Sequence, residues 1–194
     1  MGCIFPLVYY FVSRTPIPMV KFPAVKFIPI GIIIFFLILI IILEIERHKY
    51  PGLWPYITSK WYGKIFKKQP GRILGDTYFL IGSLITIIFF SNSIAIATLL
   101  FNAFGDSASG IVGTKYGKTK FFGGKKSLEG SVAFFIACLI IGLILLNSPR
   151  VALNLSTIFV GALVATLIEF ISIRVDDNLS VPIISGIWMQ FVAY

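Results

Sequence analysis

The sequence predicts an all-α fold: a polytopic membrane bundle of about six or seven transmembrane or partial helices, with residues 1–194 as a single domain. Three observations carry this. The chain is 57% hydrophobic and only 13% charged, too apolar for a water-soluble domain of ordinary composition. Several apolar runs approach the roughly 20 residues that a helix needs to cross a bilayer. Between them lie short polar segments rich in lysine, glycine and proline.

Taken in order, residues 1–13 (MGCIFPLVYYFVS) are apolar but short for a full span, which suggests a tilted helix or a native start further upstream. Residues 14–26 form a connection in which Pro16, Pro18 and Pro23 oppose helix. Residues 27–46 are the clearest span, with Glu44 and Glu46 at its exit. Residues 47–72 combine basic residues with Trp54 and Trp61, a pattern that suits an interfacial segment. The next spans are expected at 73–90 and 93–113, then a loop at 114–127, then spans at 130–147 and 151–173. A last apolar run, Ile183–Tyr194, is short and reads as a partial or tilted helix. Cys3 and Cys138 both sit in apolar runs and read as packing residues.

Alternating the spans puts loops 47–72, 114–127 and 174–180 on one side. That side collects thirteen of the seventeen Lys and Arg residues, which makes it cytoplasmic by the positive-inside rule. The net charge of +9 therefore reflects topology and anionic headgroups, and no nucleic-acid partner is expected. All eight acids also fall on or near this face, which the rule does not require. Acids and bases gathered at one membrane face suit a site for a metal ion and phosphates.

The stretch 102–131, NAFGDSASGIVGTKYGKTKFFGGKKSLEGS, carries most of that chemistry. Asp106 lies well inside an apolar run, where an ionisable group is costly and marks a candidate site. Beside it Gly105, Ser107, Ala108, Ser109 and Gly110 allow close approach of a backbone or a ligand, and a carboxylate there suits Mg²⁺. The alternative is a structural acid paired with a lysine across the bundle. The following loop holds Lys115, Lys118, Lys120, Lys125 and Lys126 with Gly113, Gly117, Gly123 and Gly124. It lacks the Walker A spacing, yet lysines and glycine amides can still hold phosphate. Ser127 is placed to cap the next helix, whose first turn holds Glu129 and Gly130. A solvated loop that only sets topology would have the same composition. Asp176-Asp177-Asn178 suits a divalent ion or a proton acceptor, or equally a capping turn. Glu169, one turn inside its span, is expected to face the bundle as a partner for Lys or Arg, or behind a ligand.

These segments resemble the CTP-dependent lipid kinases, the family of dolichol kinase, phytol kinase and CTP-dependent diacylglycerol kinase. The resemblance rests on three ordered pieces: LEIERHK with GKIFKKQPGRILGDTYFLIG, then GDSASGIVGTKYGKTKFFGGKKSLEGS, then ATLIEF with DDNLSVPIISG. It implies transfer of the γ-phosphate of CTP to the hydroxyl of a membrane lipid alcohol, polyprenol-like or a diradylglycerol, with Mg²⁺ as cofactor. Asp106 would be the essential acid of the Gly-Asp pair. Gly105, Ser109, Gly113, Gly117, Lys118, Lys125, Lys126, Ser127, Gly130 and Asn178 would bind the nucleotide. Asp106 and Asp176 would hold the metal, and Asp177 or Glu129 would accept the hydroxyl proton. The partners expected are CTP, the lipid alcohol and the bilayer, and the sequence is compatible with a homo-oligomer.

Two other readings compete. Phosphatidate cytidylyltransferases also use CTP and carry a similar Lys-Lys-x-x-Glu-Gly element, but their usual C-terminal signature is replaced here by DDNLSVP. A non-enzymatic transporter would place acids across the bilayer midplane, whereas these acids collect at one face.

Overall fold

The structure is a computed structural model that describes residues 4–12, 24–49, 74–121, 126–149, 151–171 and 175–193. Among these residues it contains seven helices and one two-stranded ribbon: α1 (Ile4–Val12), α2 (Ala24–Lys49), α3 (Gly75–Phe89), α4 (Asn92–Tyr116), β1 (Lys120–Phe121), β2 (Lys126–Ser127), α5 (Leu128–Leu146), α6 (Leu155–Ile171) and α7 (Asp177–Ala193). Three segments are long and apolar enough to cross a membrane: Phe27–Glu46, Asn92–Tyr116 and Leu128–Leu146. Gly75–Phe89 and Leu155–Ile171 are shorter apolar helices. The protein is thus an all-α membrane bundle, with the 27–46 span where the apolar run puts it. The expected interfacial segment 47–72 lies outside the described residues except for its first three, which end α2.

Helix α4 is the axis of the bundle. Its first half, from Ile94 to Ala103, is almost wholly buried, so it is hydrophobic all round, as a central helix should be. Around it the helices approach at small residues, the usual device where no hydrophobic driving force separates helix from lipid. A Cβ on Gly105 would lie 2.7 Å from the Phe134 ring of α5, and one on Gly82 of α3 would lie 2.7 Å from the Asn178 carbonyl of α7. Pro182 lies inside α7 and has no N–H to give that carbonyl one turn earlier, which leaves it free to face α3.

Helix α6 begins at Leu155, four residues after the expected start at 151, where the Asn154 side chain caps it by accepting from the Thr157 amide at 2.7 Å, and two boundaries nearer the site also differ from the sequence expectation. Helix α4 continues through Gly113 to Tyr116, so the expected loop at 114–127 starts three residues later, and its described parts Lys120–Phe121 and Lys126–Ser127 pair as antiparallel strands. Glycine persists in the helix because Ser127 packs there: a Cβ on Gly113 would lie 3.0 Å from the Ser127 hydroxyl. Helix α7 begins at Asp177, six residues before the run expected from Ile183. Pro182 sits early in the helix, where it interrupts only one hydrogen bond, and Asp176 starts the helix by capping it. The Asp176 carbonyl accepts from the amides of Leu179 and Ser180 at 3.0 Å, and its Oδ1 accepts from the Asn178 amide at 3.0 Å, an N-cap geometry.

Candidate active site

The helices alternate in direction, so one end of the bundle collects the end of α2, the start of α3, the second half of α4, the start of α5, the end of α6 and the start of α7. At that end Glu44 of α2 accepts hydrogen bonds from the Leu74 amide (2.5 Å) and the Thr77 hydroxyl at the start of α3. Leu74 provides no side-chain cap of its own, so Glu44 caps α3 from a neighbouring helix. The next residue, Gly75, leaves room for the Asn178 side chain, 3.4 Å from where its Cβ would stand.

Lys126 lies at the centre of the site. It stands on β2, which pairs antiparallel with β1 in the register Lys120 opposite Ser127 and Phe121 opposite Lys126. Phe121 packs edge-on against Phe170 at 5.3 Å between ring centroids, which docks the hairpin on the end of α6 beside Glu169. The Lys126 ammonium donates to Glu169 Oε1 at 2.6 Å and to Asp177 Oδ2 at 2.8 Å. Glu169 is 2% exposed and also accepts from the Ser109 hydroxyl at 3.1 Å and the Ser131 hydroxyl at 3.2 Å. One carboxylate thereby ties α4, β2, α5 and α6 together. Burial pulls the Lys126 pKa down, but the hydrogen bonds to Asp177 and Glu169 outweigh it and hold the ammonium above the ordinary lysine value. Lys126 is charged at any physiological pH.

Asp106 projects from the exposed side of α4 and makes no hydrogen bond or ion pair among the described residues. It is close enough to Lys126, Glu169, Asp177 and Asp176 to interact with all four electrostatically. One turn earlier Asn102, 2% exposed, donates to Asn178 Oδ1 at 3.4 Å. The Asn178 amide group in turn donates to Asp176 Oδ1 at 3.0 Å. Asn102, Asp106 and Ser109 recur at helical spacing, so one stripe of α4 faces the whole corner.

The structure therefore brings together Asp106, Ser109, Lys126, Asp176, Asp177 and Asn178 from the sequence-derived set. Gly105 lies at the same level, against Phe134. Other members have local structural partners. The Ser127 hydroxyl accepts from the Gly130 amide at 3.2 Å as the N-cap of α5, and Gly113, Gly117 and Gly130 all leave space for that hydroxyl. Glu129 accepts from the Thr119 amide at 3.1 and 3.3 Å and so braces the hairpin. Lys118 is exposed on the approach to β1. Lys125 lies outside the described residues. Glu169 is the buried lysine partner that its place inside an apolar run suggests. Asn102 and Ser131 were missed, although a polar side chain within an apolar span is itself a signal.

Among the described residues no three His, Cys, Asp or Glu side chains gather into a metal-chelating group. The donor set nevertheless fits Mg²⁺, which takes one or two carboxylates and fills its shell with waters and phosphate oxygens. Among the described residues Asp106 has no hydrogen bond or ion pair on either oxygen, and Asp176 is engaged through Oδ1 alone.

Fold and site together define a membrane-embedded helical protein with a phosphate-suited corner at one end. Known proteins narrow this class. The chain is 27% identical over 183 residues to CTP-dependent diacylglycerol kinase 1 of Saccharomyces cerevisiae, covering 82% of this chain and 62% of that enzyme. It is 33% identical over 129 residues to a probable chloroplastic phytol kinase of Triticum aestivum, covering 60% of this chain and 43% of the other. It is 33% identical over 82 residues to dolichol kinase of Saccharomyces cerevisiae, covering 40% of this chain and 16% of that enzyme. The chain is similar to proteins named as kinases of diacylglycerol, phytol and dolichol, the first of them CTP-dependent, and it spans less than two thirds of the length of each of these three. No family model matches the chain, and no solved structure matches it.

Proposed function

We propose that the protein is a lipid kinase that transfers the γ-phosphate of CTP to the hydroxyl of a membrane lipid alcohol, polyprenol-like or a diradylglycerol, at the cytoplasmic face. The observation that carries this is the cluster of Asp106, Lys126, Asp176 and Asp177 at one end of an apolar bundle. It offers a fixed cation and, in Asp106, a carboxylate with no hydrogen bond or ion pair among the described residues, where a headgroup hydroxyl and a soluble nucleotide can both reach. The name of the diacylglycerol kinase supports CTP as donor, and the names of all three relatives support a lipid as acceptor. The thirteen Lys and Arg residues in the sequence segments 47–72, 114–127 and 174–180 support a cytoplasmic orientation for this end.

In the reaction the lipid oxygen forms a bond to the γ-phosphorus, the bond from that phosphorus to the bridging β–γ oxygen breaks, and CDP leaves. Such transfers are accelerated mainly by positioning and electrostatics. Lys126, fixed by Glu169, offsets charge on the transferring phosphoryl group. Asp106 and Asp176 would hold Mg²⁺, which would supply positive charge to offset that of the phosphates. Asp177 is better placed than Glu129 to accept the hydroxyl proton, because it shares the corner with Lys126 while Glu129 is held by the hairpin backbone. The apolar walls of α4 and α5 keep the lipid chain in the bilayer.

The test uses purified protein in detergent with Mg²⁺ and CTP labelled at the γ-phosphate or in the base. The acceptors are polyprenols, geranylgeraniol, diacylglycerol and phosphatidate. Label from the γ-position in a lipid alcohol is the expected result, and the labelled product names the acceptor. Base label in lipid with pyrophosphate released would make the protein a cytidylyltransferase and contradict the proposal.

A further inference from the structure

We infer that Lys126 is held by one permanent and one exchangeable carboxylate: Glu169 is the positioning residue that fixes it, and Asp177 is a placeholder that incoming nucleotide phosphate displaces. This rests on the kinase reading above and says how the site passes from its resting to its loaded state.

The two carboxylates differ in every respect that governs exchange. The Glu169 side chain is 2% exposed and that of Asp177 is 30% exposed. Glu169 has three partners on three different elements, whereas Asp177 holds Lys126 through Oδ2 alone. Parting Lys126 from Glu169 would strand a buried charge, which is costly. Parting it from Asp177 would return a half-exposed carboxylate to water, which costs little. The ammonium has three donors in all, so it can turn from Asp177 to a phosphate oxygen without leaving Glu169.

Among the described residues, the charged groups around Lys126 are Glu169 from α6 and Asp177 at the start of α7, which it contacts, and Asp106 from α4, which it reaches electrostatically; Asp176 adds negative charge beside Asp177 and Asp106. A triphosphate entering this acidic set must find a cation, and among the described residues Lys126 is the one seated there. Displacement also has a consequence for catalysis. Once released, Asp177 is an unpaired carboxylate beside the γ-phosphate, free to accept the hydroxyl proton. Nucleotide arrival thereby arms the base.

The inference predicts effects of opposite sign from two changes that each remove one negative charge. Equilibrium binding of CTP with Mg²⁺, without lipid, is measured in detergent for wild type, Asp177→Asn and Glu169→Gln, with melting temperature as the folding control. Asp177→Asn should bind CTP about fivefold more tightly, because phosphate no longer competes for the ammonium. Glu169→Gln should bind about tenfold more weakly, because Lys126 loses its fixed anchor. Tighter binding by both variants would mean that net charge alone decides and would overturn the inference, as would weaker or unchanged binding by Asp177→Asn. Should Glu169→Gln fail to fold, Asp177→Asn is compared in the wild-type and Lys126→Met backgrounds. A gain confined to the wild-type background supports displacement, and a gain that persists without Lys126 overturns it. Failure of the wild type to bind CTP would instead remove the kinase reading, and the inference with it.

Discussion

The two ends of the bundle solve the same problem in different ways. Far from the site, helix ends are joined by neutral groups: the Tyr9 hydroxyl donates to Asn92 at 3.4 Å, Tyr10 pairs with Ser148 at 2.9 Å, the Ala152 amide donates to the Ser93 hydroxyl at 2.9 Å, and the Ser91 amide donates to Gln190 at 3.2 Å. At the other end β2 and helices α4, α5, α6 and α7 meet through Lys126, Glu169 and Asp177, with Asp106 facing them. Along α4, Asn92 and Asp106 are about 21 Å apart, so one helix serves both ends. Neutral hydrogen bonds suffice to close the far end. Charges are the costlier choice in a low-dielectric setting, and replacing a buried ion pair with apolar groups is often neutral or stabilising. Their concentration at one end is therefore explained by chemistry more readily than by stability.

Four variants sharpen this contrast. The largest effect is expected from Glu169→Ala, which leaves Lys126 with Asp177 alone and opens a cavity between α4, α5 and α6. It should lower unfolding stability by about 3 kcal/mol and abolish phosphoryl transfer, read by denaturation in detergent and by the labelled-CTP assay. Next comes a matched pair, Asn102→Leu and Tyr9→Phe, each of which removes one neutral hydrogen bond of 3.4 Å. Both should cost about 1 kcal/mol of stability. Only Asn102→Leu should reduce turnover, because Asn102 steadies Asn178 and through it Asp176. Equal loss of activity in the two would erase the distinction between the ends. The smallest effect is expected from Tyr10→Phe, whose hydroxyl meets Ser148 at the partly exposed far end. It should shift stability by less than about 1 kcal/mol and leave kcat unchanged.

Much of this was legible in the sequence because the bilayer imposes simple rules. Runs of apolar residues gave the spans, and the pooling of acids with bases on alternate loops gave the end that holds the site. Asp106 and Glu169 stood out because charge inside an apolar run is rare. The glycine-rich stretch was harder. Gly113 and Gly117 look like loop or phosphate-binding glycines, but their neighbour is the Ser127 hydroxyl, a contact between segments that local pattern does not show. Pro182 suggested a boundary, while the helix begins before it because Asp176 caps the chain at that point. Asn102 and Ser131 were hidden for a similar reason: each has meaning only through a partner on another helix, Asn178 and Glu169.

The measurement that tests the account most directly is kcat for Asp106→Asn beside its melting temperature and its yield in the membrane fraction. Asp106 has no hydrogen bond or ion pair among the described residues, so the account predicts a normally inserted protein of wild-type stability whose phosphoryl transfer falls to background. Wild-type turnover in that variant would remove Asp106 from the site and contradict the account. Loss of insertion or folding together with activity would make its role structural and contradict it equally.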